Sequence, residues 1–415
     1  MKFIRTVVIV ILLTLVMSAC FGPTRAQTPG ESRPPLTSDN STQTPANPPT
    51  DESHQPLEET PDTSGPEEDR TTEAVWIAAG DVMMHTPQYP GSYDSKRKRY
   101  IFDPFFEQVR PILEEGDWTI VNLEVPLGGE DLKYTGYPLF NAPPEMAEAL
   151  KKSGINIVGT ANNHALDRGE KGVIRTIAAL KEQGLIHNGT ASSQAQADQA
   201  VIIEKNEIRM GFLAYTYGTN GIPIPEGKPY LVSLIDEQRM VEDIEKLKAE
   251  GADFITVNLH FGIEYQFQPN EEQQRIAHKL IEAGADIIAG SHPHVVQPYE
   301  VVDTVNADGS ARRSVIIYSM GNFISNQQGD FKDYGVIFRI HVRKQHGTGE
   351  VEFTKIEPIP TWVYKYKQNG LNQYRILPVE ETLSKRNQPG LAAGDYKQLE
   401  SSLNLLTKRL NSMLK

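Results

Sequence analysis

The sequence predicts an α/β fold, and two observations lead to this class. Five apolar runs, typical of strands buried on both faces, recur along the chain. Helical patterns such as RTIAALKEQG and RIAHKLIEAGAD precede or follow them. The runs are VWIAAG before Asp81, DWTIVNL before Glu124, INIVGTAN before Asn163, ADFITVNL before His260 and ADIIAGS before His292. Since ligands of open α/β sheets bind beyond the carboxyl ends of the strands, these run ends predict one shared site.

The amino-terminal residues 1–19 have the pattern of a secretory signal peptide. Lys2 and Arg5 precede an apolar stretch from Thr6 to Ala19, and Cys20, the only cysteine of the chain, follows. This arrangement resembles a bacterial lipoprotein signal, which predicts cleavage before Cys20 and acylation of its thiol. The alternative, an uncleaved membrane anchor, is less favoured because the stretch is shorter than the roughly 20 residues that cross a bilayer. In both cases we expect the remaining chain to be extracytoplasmic and held at the cell membrane.

Residues 20–73 are predicted to form a disordered tether behind the lipidated Cys20. They are rich in Pro, Thr, Ser and acidic residues, with too few large apolar side chains to form a core. Eleven acidic residues and three arginines give residues 21–73 a net charge of −8, out of −13 for the whole chain. The remaining chain is only mildly acidic and has no basic stripe, which argues against a nucleic-acid partner.

Residues 74–380 are predicted to form one domain, followed by a helical tail at 381–415. The segments RRSVIIYSMGNFIS, YGVIFRIHVRK and GEVEFTKIEPIPTWV alternate apolar and polar residues, which predicts a second, partly antiparallel sheet. The tail carries an apolar stripe at helical spacing, formed by Leu399, Leu403, Leu406, Leu410 and Met413. This helix either packs onto its own domain or forms a seam between two chains.

The residues at the run ends have the chemistry of a site for two divalent ions, and the metals we expect there are Mn²⁺, Zn²⁺ or Fe. The candidate ligands are Asp81, Glu124, Asn163, His260, His292 and His294. They combine anionic oxygens with neutral imidazoles, so that the net charge of such a site stays tolerable. An extended His-Pro-His link is expected to send both imidazoles toward the same rim. His85 and Glu264 are further ligands or partners that orient an imidazole.

His164 and Asp167 are the candidate catalytic residues. Two ions about 3.5 to 4 Å apart activate water and clamp the reacting oxygens of an in-line displacement, a chemistry suited to phosphate esters. The leaving group needs a proton, and His164 stands beside the predicted ligand Asn163. Asp167 either orients His164 or caps the helix that begins at GEKGVIRTIAAL.

Seven motifs from Val75 to Ile324 give the chain a resemblance to a known family. They are GDVMMH, NLEVPL, YTGYPLFNAPPE, TANNHALDRG, NLHFGIEYQFQP, AGADIIAGSHPHVVQP and YSMGNFI. In order and spacing they resemble the CapA-type proteins of bacterial poly-γ-glutamate capsule synthesis. The resemblance implies a calcineurin-like metallophosphatase fold, a two-layer β-sandwich flanked by helices, with the six candidate ligands above and His164 as acid. Two positions depart from the metallophosphatase pattern: Met83 replaces the usual histidine, and Glu124 replaces the usual bridging aspartate.

Two hypotheses about function follow. The first is a lipid-anchored, metal-dependent hydrolase of a phosphoester, or of an amide in the capsule polymer or cell wall. The second is a non-catalytic scaffold or accessory subunit of the membrane poly-γ-glutamate synthase. The expected partners are the synthase subunits, the capsule polymer and, through acylated Cys20, membrane lipid. The basic run Lys96–Arg99 is either a contact for the anionic polymer or a solvated loop.

Overall fold

The computed structural model describes residues 70–305 and 309–414. The signal segment, Cys20 and the tether as far as residue 69 lie outside the described residues and stay predictions. The first strand begins at Thr71, three residues before the predicted domain start at 74. Among the described residues, no helix is both long and apolar enough to cross a membrane.

Sixteen strands lie in the described residues, in two large sheets and one small hairpin. They are β1 Thr71–Val82, β2 Tyr93–Asp94, β3 Arg99–Tyr100, β4 Trp118–Leu123, β5 Ile157–Gly159, β6 Ile186–Asn188, β7 Ile202–Lys205, β8 Ile208–Thr216, β9 Phe254–His260, β10 Ile287–Ser291, β11 Tyr299–Val305, β12 Ala311–Ile317, β13 Asn322–Ile324, β14 Tyr334–Gln345, β15 Val351–Gln368 and β16 Leu371–Pro378. The first sheet has the order β16-β15-β14-β1-β4-β5-β6, with β13 also paired to β1, and the second has the order β11-β12-β10-β9-β8-β7. Strands β2 and β3 form the hairpin.

Ten α-helices accompany these strands. They are α1 Tyr89–Ser92, α2 Asp103–Phe106, α3 Arg110–Leu113, α4 Glu145–Lys152, α5 Gly169–Glu182, α6 Gln194–Ala197, α7 Glu237–Ala249, α8 Glu271–Ala283, α9 Val379–Lys385 and α10 Ala393–Leu410. Helix α8 shows how its sequence sets its bounds. Asn270 and Gln273 form a reciprocal capping box at its start, and Gly284 adopts a left-handed conformation, with φ of +109°, at its end.

The two large sheets pack face to face, and helices cover their outer faces. Along β1, Trp76 and Ala78 enter the core between the sheets, while Ile77 and Ala79 enter the core under α2 to α5. The second sheet and helices α7 and α8 enclose a third core. Across the middle layer, the indole of Trp76 donates a hydrogen bond to Thr256 Oγ1 at 3.1 Å. The expected two-layer β-sandwich flanked by helices is therefore confirmed.

The carboxyl-terminal strands do not form the separate second sheet that their alternation suggested. Strands β14 and β15 are antiparallel and join the first sheet through β1. Strand β12 instead pairs in parallel with β10 in the second sheet. Each large sheet is therefore mixed, with a parallel part that carries the site and an antiparallel part that extends it.

Helix α10 packs against its own domain. Leu399, Leu406 and Leu410 are buried in the core between the sheets, and Leu403 packs against it partly buried. Met413, just beyond the helix, packs against the core under α7 and α8. The apolar stripe thus has its partner within the chain, as the first of the two interpretations expects.

Candidate metal centre

Asp81 enters the site because β1 is irregular at Gly80. Ala79 pairs with Val121, but Asp81 already pairs with Asn122, so one extra residue stands in β1. Such a bulge redirects the side chain that follows it. Gly80 cannot carry a side chain, since a Cβ there would lie 1.8 Å from the carbonyl oxygen of Gly321. The Asp81 carboxylate is buried and accepts a hydrogen bond from Asn122 Nδ2 at 2.8 Å.

Strand ends of both sheets meet around Glu124. Glu124 directly follows β4, and His260 ends β9 on the inward face that begins with Phe254. His260 Nε2 lies 3.4 Å from Glu124 Oε1 and 2.9 Å from Asn163 Oδ1. His260 Nδ1 lies 3.1 Å from Ser291 Oγ at the end of β10. The parallel strands of the two sheets therefore deliver their polar ends to one place, as the sequence predicts.

His292 and His294 also reach this place, but not through an extended link. Both have positive φ, +99° and +57°, so the expectation of an extended His-Pro-His segment is wrong. The segment bends instead, and the two imidazole centroids lie 5.8 Å apart. Positive φ is uncommon outside glycine and costs on the order of 1–3 kcal/mol, and such conformations cluster at functional sites.

The cluster fits divalent ions. Both carboxylate oxygens of Glu124 and Nδ1 of His292 are buried without a hydrogen-bond partner in the described part of the chain. Buried polar atoms are normally paired, so these orphaned atoms are what missing ligands leave behind. Three groups of ligand atoms, each within 4.8 Å of one another, overlap here: Glu124, His260 and His292; Glu264, His292 and His294; and Asp81, Glu124 and His294. The structure thus gathers all six candidate ligands; the number and identity of the ions stay predictions.

The titratable groups of the cluster differ in the direction of their pKa shifts. Burial lowers the pKa of His260 to about 3 and that of His292 to about 2, so both are neutral and able to bind a metal. Burial and the nearby charge of Asp81 raise the pKa of Glu124 well above its usual range. Burial alone would lower the pKa of His294, but the charges of Glu124 and Asp81 outweigh it and raise this pKa to about 9.

We expect divalent-ion binding to strengthen as pH rises toward 9. Below its pKa of about 9, His294 holds a proton that a bound ion must displace. The affinity for Mn²⁺ should therefore rise by up to about tenfold per pH unit between pH 7 and pH 9, with release of protons on binding. Calorimetric titrations in buffers of different ionisation enthalpy measure both quantities. An affinity that is flat across this window would contradict a protonated His294.

His164 and Asp167 form a buried pair at the edge of the cluster. His164 Nδ1 lies 2.8 Å from Asp167 Oδ2, and the same oxygen accepts the backbone N–H of Phe140 at 2.6 Å. The ring of Phe140 meets the His164 imidazole edge-on at 4.6 Å between centroids. Helix α5 has Arg168 at its amino-terminal cap, without a side-chain cap bond. Asp167 is therefore not the helix cap and instead orients His164.

The structure also places the two residues whose roles the sequence left open. His85 lies outside the three ligand groups, and its Nδ1 accepts the backbone N–H of Asn326 at 3.3 Å. Glu264 is exposed, but its carboxylate belongs to one of the groups.

Sequence analysis missed several residues that shape the centre. Asn122 Nδ2 lies within 3.2 Å of both Asp81 and His260, and Asn220 Nδ2 lies 3.5 Å from His164. The half-exposed ring of Tyr217 covers His292 at 4.6 Å between centroids. Asn122 had a detectable signal, because it is a polar residue inside an otherwise apolar run, DWTIVNL. The other two lie in a loop without such a pattern.

The chain has relatives among known proteins. Residues 75–327, more than half of the chain, match the family model described as "Bacterial capsule synthesis protein PGA_cap". The chain is similar to "Capsule biosynthesis protein CapA" of Bacillus anthracis, with 30% identity over 274 residues, 64% of this chain and 62% of that protein. It is also similar to "PGA biosynthesis protein CapA" of Bacillus subtilis (strain 168), with 29% identity over 303 residues, 72% and 75% of the two chains.

Among solved structures, the chain is similar to the NAD nucleotidase NadN of Haemophilus influenzae. The sequence identity is 12% and the TM-score is 0.45. The match covers 83% of this chain and 64% of that chain.

Proposed function

The chain belongs to the bacterial capsule synthesis protein PGA_cap family, and we propose that it supports poly-γ-glutamate capsule synthesis or export as a metal-dependent hydrolase. The names of the Bacillus relatives support the capsule role. The proposal includes an extracytoplasmic position, anchored to the cell membrane through acylated Cys20, where the polymer and the membrane synthase subunits would be in reach.

One observation carries the hydrolase part of the proposal. Glu124, whose two oxygens have no hydrogen-bond partner among the described residues, belongs to a buried cluster with three histidines, and the oriented pair of His164 and Asp167 adjoins it. Divalent ions held there would polarise the scissile group and lower the pKa of a water molecule. Asp167 holds Nδ1 of His164, which leaves Nε2 as the nitrogen that passes a proton to the leaving group. A pure scaffold needs no such oriented acid.

A second candidate, a non-catalytic accessory subunit, has its own support. Met83 occupies the position at which metallophosphatases usually have a ligand histidine, and its side chain is buried in the core under α2 to α5. The residue cannot contribute to the centre from there. A metallophosphatase-like fold that lacks one metal ligand is expected of a scaffold that retains the fold and no longer catalyses hydrolysis.

An assay of the purified full-length protein tests the two candidates. The protein is loaded with Mn²⁺ and given a phosphodiester carrying a chromogenic leaving group, or a γ-glutamyl anilide. We expect turnover of one of these substrates that a chelator abolishes and Mn²⁺ restores. Metal binding without turnover of either, together with capsule formation that requires the protein, would favour the accessory subunit.

The anchor is tested separately by Cys20→Ala. Without the thiol, acylation is impossible, so we expect the protein to be lost from the membrane fraction, or to accumulate unprocessed, with reduced capsule polymer. Fractionation followed by mass spectrometry of the amino terminus measures this outcome. Ser18→Ala, two residues away in the same segment, is the control and should retain the anchor. Unchanged membrane retention of Cys20→Ala with an unmodified Cys20 in the native protein would contradict the anchor.

A further inference from the structure

Glu264 lies near two buried imidazoles of the cluster, those of His292 and His294. Glu264, His292 and His294 each offer one ligand atom, and these three atoms all lie within 4.8 Å of one another. His292 is only 3% exposed, and its Nδ1 has no hydrogen-bond partner among the described residues. A carboxylate in reach of two buried imidazoles, one with an orphaned nitrogen, is the donor set of a metal position.

Glu264 would add a carboxylate to the ligands on the Asp81 side of the centre. On the Asp81 side, three protein ligands come together: Asp81, Glu124 and His294. The side chain of Met83 is buried in the core and supplies nothing there. His294 belongs to both the Asp81 group and the Glu264 group, so an ion held by His294 would have the exposed carboxylate of Glu264 nearby.

The loop that carries Glu264 has no regular structure of its own. Between β9 and α8, residues 261–270 contain neither helix nor strand. The backbone N–H of Tyr265 donates to the carbonyl oxygen of Pro293 at 2.8 Å, and Gln297 Nε2 donates to the carbonyl oxygens of Gln266 and Gln268. These bonds tie one side of the loop to the segment that carries His292 and His294.

The other side of the loop is held by the carboxyl-terminal helix. The guanidinium of Arg409, on the last turn of α10, lies 3.7 Å from the ring centroid of Phe267 and 4.8 Å from that of Phe331. Arg409 also donates to the carbonyl oxygen of Val296, at 3.4 Å. One half-buried cation therefore contacts three segments that surround the centre. A stacked, partly desolvated guanidinium is attracted by the faces of both rings.

We propose that Glu264 is a ligand of the metal centre and that Arg409 positions it by stacking on Phe267. The inference rests on the proposed metal centre but not on catalysis. It assigns the carboxyl-terminal helix a role beyond covering the core, because the helix fixes the geometry of an exposed ligand more than one hundred residues earlier in the chain. Residues that orient ligands typically change metal affinity tenfold to a hundredfold when they are replaced.

Calorimetric titration of the purified full-length protein with Mn²⁺ alone tests the proposal. Arg409→Gln should weaken one binding event by about ten- to a hundredfold, and Glu264→Gln, which removes the ligand itself, should weaken the same event by at least as much. The double variant should bind no more weakly than Glu264→Gln, because both changes act through one ligand. Arg409→Lys keeps the charge without the planar stack and should fall between Arg409→Gln and the unchanged protein. Lys408→Gln, the exposed neighbour on the same helix, is the matched control and should change nothing.

The outcomes separate this proposal from the proposed function. Unchanged Mn²⁺ binding in Glu264→Gln would overturn the ligand, and losses that add up in the double variant would overturn the positioning. If Arg409→Gln does not fold, Phe267→Leu removes the same stack from the other side and should reproduce its effect. Two-ion binding without hydrolysis would end the catalytic proposal and leave this one standing. A protein that binds no Mn²⁺ would overturn both.

Discussion

Glu124→Gln should weaken divalent-ion binding by well over a hundredfold. Glu124 belongs to two of the three ligand groups, and its Oε1 lies 3.4 Å from His260 Nε2 and 3.7 Å from His294 Nε2. Glutamine keeps the shape of the side chain but removes the anion shared by the two groups. The loss should exceed the tenfold to hundredfold effect of replacing an outer partner, because a ligand itself is removed. Calorimetry and elemental analysis after dialysis measure the affinity and the ion content.

The same substitution should leave the metal-free protein as stable as before, or more stable. Burial and Asp81 raise the pKa of Glu124, so its negative charge is unfavourable when no ion is present. Removing that charge ends its attraction to His294, but it also relieves the cost of burial and the repulsion from Asp81, which are larger. Thermal unfolding with a chelator and with Mn²⁺ distinguishes the two effects, since the unchanged protein should gain stability from the ion and Glu124→Gln should gain little.

The matched control is Glu204→Gln, which removes a carboxylate exposed on β7 and should alter neither affinity nor stability. An unchanged Mn²⁺ affinity in Glu124→Gln would show that Glu124 is not a ligand. A large fall in the melting temperature of the metal-free form would show instead that the residue serves the fold.

The sequence predicted the buried strands and the residues at their carboxyl ends most accurately. Continuous apolar runs identified β1, β4, β5, β9 and β10, and the carboxyl ends of parallel strands must share an edge. The candidate ligands therefore met in space although up to 213 residues separate them, as between Asp81 and His294. Neither step required knowledge of which strand pairs with which.

Strand partners were less predictable, because alternation records which faces are buried and not the identity of the neighbour. The alternation in β12 and in β14 predicts a strand in both cases, but β14 pairs with β1 and β12 pairs with β10. The twelve residues of β1 offer an edge long enough for a pairing across more than 250 residues of chain. No local pattern in either segment contains that information.

Backbone detail at the site was the least predictable. The bulge at Gly80 depends on the close approach of Gly321, and the positive φ of His292 and His294 depends on the bonds that hold their loop. These backbone conformations are strained and are stabilised by contacts with distant residues. The sequence pattern alone therefore predicted an extended His-Pro-His segment, which the structure does not have. The role of Asp167 depended in the same way on Phe140, whose N–H gives the carboxylate a partner outside its own helix.

His164→Ala should lower turnover by roughly 10² to 10⁴ fold while the ion content stays unchanged, the usual contribution of a positioned general acid. His164 belongs to none of the three ligand groups, so its removal should not affect the ions. Asp167→Asn should cause a smaller loss, because it weakens the orientation of His164 Nδ1 without removing the proton donor. His278→Ala, on the outer helix α8, is the control and should change neither turnover nor ion content.

The decisive comparison sets polymer yield in cells beside hydrolysis by the purified protein. If catalysis supports the capsule, His164→Ala should reduce both while the protein remains folded, metal-loaded and anchored. If the fold acts as a scaffold, His164→Ala should leave the polymer normal, whereas Cys20→Ala should reduce it. The buried pair of His164 and Asp167 favours the first result, because a histidine held at 2.8 Å by a carboxylate beside a ligand cluster has no evident use in a surface that only binds. A normal polymer yield from a folded, metal-loaded His164→Ala protein would show that capsule synthesis does not need His164 as an acid.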